Sequence, residues 1–156
     1  MSDHSTYDGT THGVTTHGVT YDTVAAGTEI PVVRYPVTRL SLVKYCGASG
    51  DFNVIHWNER VAKSVGLPDV IAHGMFTMAE AGRFVTDWAG PAATVIEFGV
   101  RFSSMVVVPD DDAGATIEVS GTVEEKLGDN SVAIALTARC AGTKVLTRAQ
   151  AVVRLA

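Results

Sequence analysis

From Gly74 to Gly90 the chain reads GMFTMAEAGRFVTDWAG, and the sequence on either side of it is of a different kind. Met75, Met78, Ala79, Gly82, Val85 and Ala89 recur every three or four residues, the period of one face of an α-helix. The spacing predicts the longest helix of the chain, with that stripe buried. Gly90 and Pro91 stop it, one by freeing the backbone and the other by removing a donor. Past Pro91 the pattern changes to β-branched stretches: ATVIEFGVRFSSMVVV, ATIEVSGTVEEKL, SVAIALTARCAG and KVLTRAQAVVRLA. PDDDAG, LGDN and AGTK separate them, and the last two suit hairpins. One long helix followed by four antiparallel strands is an α+β layout.

Upstream of Gly74, Glu29 to Val37 (EIPVVRYPV) reads as a strand, but Pro31 and Pro36 confine it to a sheet edge. Thr38 can cap the helix that follows, with Leu40, Val43 and Cys46 at helical spacing and an end near Gly47. A second short helix is expected in WNERVAKSVGL, with Val61, Ala62 and Val65 on one side and Gly66 and Pro68 closing it. The first 22 residues are rich in Thr, Gly, His and Asp and contain the tandem pentad THGVT THGVT from Thr11 to Thr20. Such a composition buries too little apolar surface to offset backbone ordering, so residues 1–22 are expected to be a flexible tail and 23–156 one domain. His4, His12 and His17 lie in that tail without cysteine or regular chelating spacing, and no metal site is expected there.

At 156 residues, 46% hydrophobic and 19% charged, the chain has the composition of one compact domain. A net charge of −5 with no basic run argues against nucleic acid as a partner. Apolar runs such as Met105 to Val108 are far shorter than the roughly 20 residues of a membrane-spanning helix. The start MSDHSTYDG lacks a basic and then apolar export signal, so the cytoplasm is the expected compartment. Cys46 and Cys140 form no CxxC pair and read as small core residues or free thiols.

Chemistry concentrates in two places. In Gly50 to His56 (GDFNVIH), Asp51 and Asn53 would by themselves be ordinary turn residues, and His56 a satisfied structural histidine. Yet a carboxylate and an imidazole five residues apart on an irregular loop can be aimed at one small ligand. Imidazole exchanges protons near neutral pH, and a partly buried carboxylate can be raised toward it, which makes a general acid/base pair. The second place is Ala72 to Met75 (AHGM), where a helix begins. Free N–H groups and the positive end of the dipole gather there, and Gly74 would let a substrate carbonyl approach them, the outline of an oxyanion hole. Glu80, Arg83 and Asp87 read as a solvated helix face with an i, i+3 pair between Glu80 and Arg83.

The run YCGASGDFNVIHWNE, Tyr45 to Glu59, resembles the signature of the MaoC-like R-specific enoyl hydratases and dehydratases: an aromatic residue, small residues, then GDxNPxH. AHGM resembles the second segment of that family. The likeness runs from about Val24 to Ala156, leaves the THGVT repeat outside, and is nearest to the catalytic β subunit type of mycobacterial (3R)-hydroxyacyl-ACP dehydratase. It implies a hotdog fold, an antiparallel sheet wrapped around the helix from Gly74 to about Ala89. It also implies that Asp51 and His56 are the catalytic dyad, that Asn53 helps fix the loop, and that the Gly74 N–H polarises a thioester carbonyl; His73, just before the helix, is expected to support the loop as well. Three positions depart from the pattern: Val54 replaces the usual proline, Asn58 followed by Glu59 replaces an acidic residue, and Gly82 stands where some relatives carry serine.

The implied reaction is dehydration of a (3R)-hydroxyacyl thioester or hydration of a trans-2-enoyl thioester. It needs proton transfers and a dipole, so no cofactor or metal is expected; acyl-carrier protein or CoA carries the chain. Hotdog domains of this family pair through their sheets, so a dimer is expected, and the β-subunit likeness points to a second hotdog chain as partner. Two other readings share the fold: an acyl thioesterase using Glu80, and a non-catalytic acyl-binding subunit, which would have little use for both Asp51 and His56.

Overall fold

The computed structural model describes residues 19–156. Its elements follow in the order β1 (Glu29–Val37), α1 (Arg39–Ser49), α2 (Glu59–Ser64), α3 (Gly74–Ala89), β2 (Thr94–Phe102), β3 (Ala115–Lys126), β4 (Ser131–Cys140) and β5 (Thr143–Arg154). Short 3₁₀ turns cover Tyr21–Thr23 and Val54–His56. The five strands make one antiparallel sheet in the order β1-β3-β4-β5-β2, and α3 packs against β1, β2, β3 and β5. This is the hotdog arrangement.

The hairpins form where the turn residues permit. Asp129 and Asn130 both have positive φ (61° and 55°), as do Ala141 and Gly142 (48° and 76°). Two successive left-handed residues match the twist of the strands they join, which is why LGDN and AGTK close tight hairpins. In β3 alternate residues from Ala115 through Ile117, Val119 and Gly121 to Val123 face inward. A Cβ on Gly121 would lie 3.2 Å from Phe84, Ile30 and Leu136, so glycine there lets the Phe84 ring settle on the sheet.

The expected helix bounds agree with α3, and so do Val85 and Ala89 of the expected buried face, but the rest of that face is shifted. Thr77, Ala81, Phe84, Val85 and Ala89 are buried, whereas Met75 is 56% exposed and Ala79 is exposed. A threonine can occupy the inner face because its hydroxyl donates to the His73 carbonyl at 3.4 Å, and the Phe84 ring, rather than the methionines, fills the sheet's hollow. The same shift appears in α1, which runs on to Ser49 and buries Leu42 and Cys46, while Leu40 and Val43 face outward. In α2, Ala62 is buried and Val65 exposed.

β1 is an edge strand, and a register shift between Ile30 and Val33 accommodates Pro31. β2 is the other edge and is mostly exposed. Of the expected tail, residues 1–18 lie outside the described residues. Val19 and Tyr21 already pack on the domain: the Tyr21 hydroxyl donates to the Leu127 carbonyl at 2.8 Å and its N–H to the Ala156 carbonyl at 3.1 Å. Cys46 and Cys140 are free thiols, and no helix among the described residues is long and apolar enough to cross a membrane.

Candidate active site

The loop that carries Asp51 begins where α1 ends. Gly50 takes a left-handed φ of 76° and donates to the Cys46 carbonyl at 2.9 Å, which turns the chain out of the helix. The loop then braces itself. The Asp51 N–H donates to Ser49 Oγ at 3.2 Å, and Asp51 Oδ1 accepts from the Asn53 N–H at 3.1 Å. Asn53 Oδ1 accepts from the Ile55 N–H at 3.3 Å and so starts the 3₁₀ turn that sets His56. Val54 opens that turn. Asn58 caps α2 by accepting from Val61, and Glu59 pairs with Lys63 and with Arg39 at 3.3 Å. Arg39 also pairs with Asp69 at 2.6 Å and donates to the Val108 carbonyl. These contacts hold the surrounding segments together.

The opposite wall is pinned to the fold. Ala72 donates to Val106 at 2.8 Å, Val108 donates to Val70 at 2.9 Å, and Ile71 forms a bridge with Val107. His56 Nδ1 lies 2.8 Å from the Ile71 carbonyl oxygen. A carbonyl can only accept, so this nitrogen bears the proton and Nε2 keeps its lone pair. His73 is 2% exposed, and its Nε2 lies 3.1 Å from the Asp51 carbonyl oxygen, so the same reasoning places its proton on Nε2. Its Nδ1 is buried without a partner. Burial lowers the proton affinity of His73 below that of an ordinary histidine.

The two imidazoles stack with centroids 3.7 Å apart and an interplanar angle of 26°. An Asp51 carboxylate oxygen and one ring nitrogen from each histidine lie within 4.8 Å of one another. Each ring donates one N–H to a backbone carbonyl, which orients it and leaves its other nitrogen with a lone pair.

His56, Gly74, Thr77, Phe102, Met105 and Val145 are among the residues lining a cavity of about 360 Å³. Gly74 is the first residue of α3, and His73 at the cap position makes no side-chain capping bond, so the first N–H groups of the helix remain free. A side chain on Gly74 would meet the Phe102 ring at 3.2 Å. Of the five residues expected from the sequence, His56 and Gly74 line this cavity, Asp51 and His73 lie beside His56, and Asn53 is tied to Asp51 through its N–H. One feature differs: Asp51 is exposed, not partly buried. Phe102, Thr77 and Val145 were not foreseen as walls, because the period of a strand or helix shows which residues share a face but not what the face meets.

Glu80 is placed differently. Its Oε2 is buried without a hydrogen bond, 3.7 Å from Arg83, and burial pushes its carboxyl up from the usual range. The nearby Tyr35 hydroxyl is likewise buried without a partner and pushed up to about 12, again by burial first. Neither residue lines the cavity that holds His56.

A family profile described as "MaoC like domain" matches residues 12–139, and so begins inside the THGVT repeat rather than after it. The 3-hydroxyacyl-thioester dehydratase X of Mycobacterium tuberculosis is 34% identical over 79 residues, 51% of this chain and 27% of that protein. The chain therefore spans only a fraction of that relative's length. Among solved structures, one described as a MaoC-like dehydratase superposes with a TM-score of 0.83 at 38% identity, covering 88% of this chain and 42% of that one. A chain of the ChsH1-ChsH2 complex from Mycobacterium tuberculosis superposes with a TM-score of 0.75 at 23% identity, covering 85% of this chain and 98% of that one; at that identity it shows the fold alone.

Proposed function

We propose, from the premise that this chain belongs to the MaoC-like family of hydratases and dehydratases, that it is a hydro-lyase interconverting (3R)-hydroxyacyl and trans-2-enoyl thioesters through Asp51 and His56. The observation that carries this reading is the hydrogen bond from His56 Nδ1 to the Ile71 carbonyl. It leaves Nε2 free to act as a base on a ring that has a nitrogen within 4.8 Å of an Asp51 carboxylate oxygen and that lines the same cavity as the uncapped start of α3.

In the dehydration direction the thioester oxygen rests on the free N–H groups at Gly74, which stabilise the negative charge that grows there. His56 Nε2 takes the proton from the α-carbon. The Cα–Cβ double bond forms as the Cβ–O bond breaks, and the imidazolium gives the same proton to the departing hydroxyl, which leaves as water. Asp51 accepts a hydrogen bond from that hydroxyl and balances the transient charge on the ring. Hydration is the reverse, with Asp51 and His56 orienting the attacking water. Asn53 fixes the Asp51 carboxylate through its backbone N–H. CoA or acyl-carrier protein carries the acyl chain, and the cytoplasm is the proposed compartment.

The proposed assembly is a dimer through β2, whose Val95, Ile96 and Phe102 are exposed at a free sheet edge, with a second hotdog chain as the preferred partner. One assay tests both statements: hydration of crotonyl-CoA and of a long-chain trans-2-enoyl-CoA, followed by loss of enoyl thioester absorbance, with the protein alone and with a co-expressed hotdog chain. The expected product is the (3R)-hydroxyacyl thioester. Thioester cleavage without hydration, or no reaction in either arrangement, overturns the assignment.

A further inference from the structure

We propose that His73 is a positioning residue for the dyad: a clamp that seats the His56 ring by stacking on it and holds Asp51 by its main chain. The inference rests on the reading of Asp51 and His56 given above, and it assigns work to a histidine that the chemistry itself leaves idle.

Asp51 and His56 sit five residues apart on a surface loop whose own hydrogen bonds, Asn53 N–H to Asp51 Oδ1 and Ile55 N–H to Asn53 Oδ1, span only a few residues each. His73 touches both. Its Nε2–H reaches the Asp51 carbonyl at 3.1 Å, and its ring lies 3.7 Å from that of His56. It is itself held by the fold: it is 2% exposed, tilts against Tyr45 at 4.8 Å, and has Cys46 Sγ 3.7 Å from Nε2. His73 also stands at the N-cap position of α3, the helix whose first N–H groups face the proposed thioester oxygen. A single residue therefore ties the loop to the helix start, the two sides between which a substrate would react.

The clamp has to stay neutral. A second proton on His73 would go to Nδ1, which is buried with no acceptor, beside a ring that becomes cationic during turnover. The groups packed around it are Asp51 from the loop, His56 from the 3₁₀ turn, and Tyr45 and Cys46 from α1. Asp51 offers it a carbonyl, which accepts from the proton already on Nε2. Proton transfer thus stays with His56 while its stacked neighbour keeps one tautomer.

Two substitutions separate the parts. His73→Phe keeps a ring against His56 and removes the donor; His73→Gln places an amide N–H where Nε2 stands and removes the ring. His73→Phe is expected to lower kcat about tenfold or more with KM within about twofold, since a small misplacement of a catalytic group costs turnover rather than binding. His73→Gln should recover part of that loss. Amide hydrogen exchange of residues 50–56 in the full chain should quicken in His73→Phe and stay near wild type in His73→Gln. Unchanged kcat and unchanged loop exchange in His73→Phe would overturn the clamp, and so would a loss carried by KM alone or a glutamine variant no better than phenylalanine. If His73→Phe does not fold, His73→Gln alone decides, since loop exchange as fast as that of a detached loop refutes the donor's role. Should wild type hydrate no enoyl thioester, the assignment of function fails, while the exchange measurement still reads the clamp.

Discussion

The two sides of the site are built to opposite standards. On the loop side Asp51, Phe52, Asn53 and Val54 are exposed, Phe52 by 62% of its surface, and order comes from hydrogen bonds a few residues long. On the helix side Ala72, His73 and Thr77 are buried, and the segment is bonded to Val106 and Val108. The helix side inherits its geometry from the core; the loop side borrows it through His56 and His73. Damage should therefore separate: changes on the helix and its core should cost stability, and changes on the loop should cost turnover at nearly constant stability.

The largest effect should come from the core beneath α3. Phe84 is 1% exposed and rests on Gly121, so Phe84→Ala leaves a cavity that the glycine beside it cannot fill. The expected loss is about 3–5 kcal/mol, a fall in Tm on the order of 10 °C by calorimetry. Next, Asp51→Asn and His56→Ala should each lower kcat by at least about a hundredfold, as loss of a positioned acid/base group does. The contrast is sharpest for Asp51, which is exposed: its variant should melt with the wild type. An Asp51→Asn variant that loses Tm but keeps its turnover would erase the division between the two sides. Asn53→Ala should be milder. It removes the acceptor for Ile55 that starts the 3₁₀ turn, worth roughly 1 kcal/mol as a cap, and should cost kcat a few-fold with faster exchange at Ile55.

The sequence made some of this plain and hid the rest for physical reasons. LGDN and AGTK announced their hairpins because a turn's backbone requirement falls on the residues that occupy it. The extent of α3 was legible from Gly74 and Gly90 for the same reason. Its buried face was not, because Met75 and Ala79 are as apolar as Phe84 and only the sheet decides which side it takes. Asp51 and His56 stood out by residue type and by resemblance to a known signature. The stack of His56 on His73 could not be read, since it depends on the path of the chain through the Ile71 bridge to Val107, a contact far away in sequence.

The smallest predicted effect sharpens the comparison from the helix side, at a carboxylate the mechanism leaves unused. Glu80 carries a buried Oε2 with no hydrogen bond, and 3.7 Å to Arg83 is too long to supply one. Burial raises its carboxyl above the ordinary 4.5, against the weaker pull of Arg83. A carboxyl raised on folding binds its proton more tightly in the native state than in the unfolded one. Its favourable contribution is therefore present below the unfolded value and is lost as pH rises through the folded value. At neutral pH the ionised group is a burden that glutamine lacks. Glu80→Gln should thus raise Tm modestly at pH 7 to 8, and the gain should vanish near pH 4, where both variants are neutral; melting curves across that range check it. The loss of the Arg83 contact offsets little, because Arg83 also lies 3.5 Å from Asp87. Turnover in enoyl thioester hydration should stay at the wild-type level, since Glu80 does not line the cavity with His56. A thioesterase that worked through this helix carboxylate would behave in the opposite way: Glu80→Gln would abolish thioester cleavage while Asp51→Asn left it intact, and the division of labour between loop and helix would then have to be reversed.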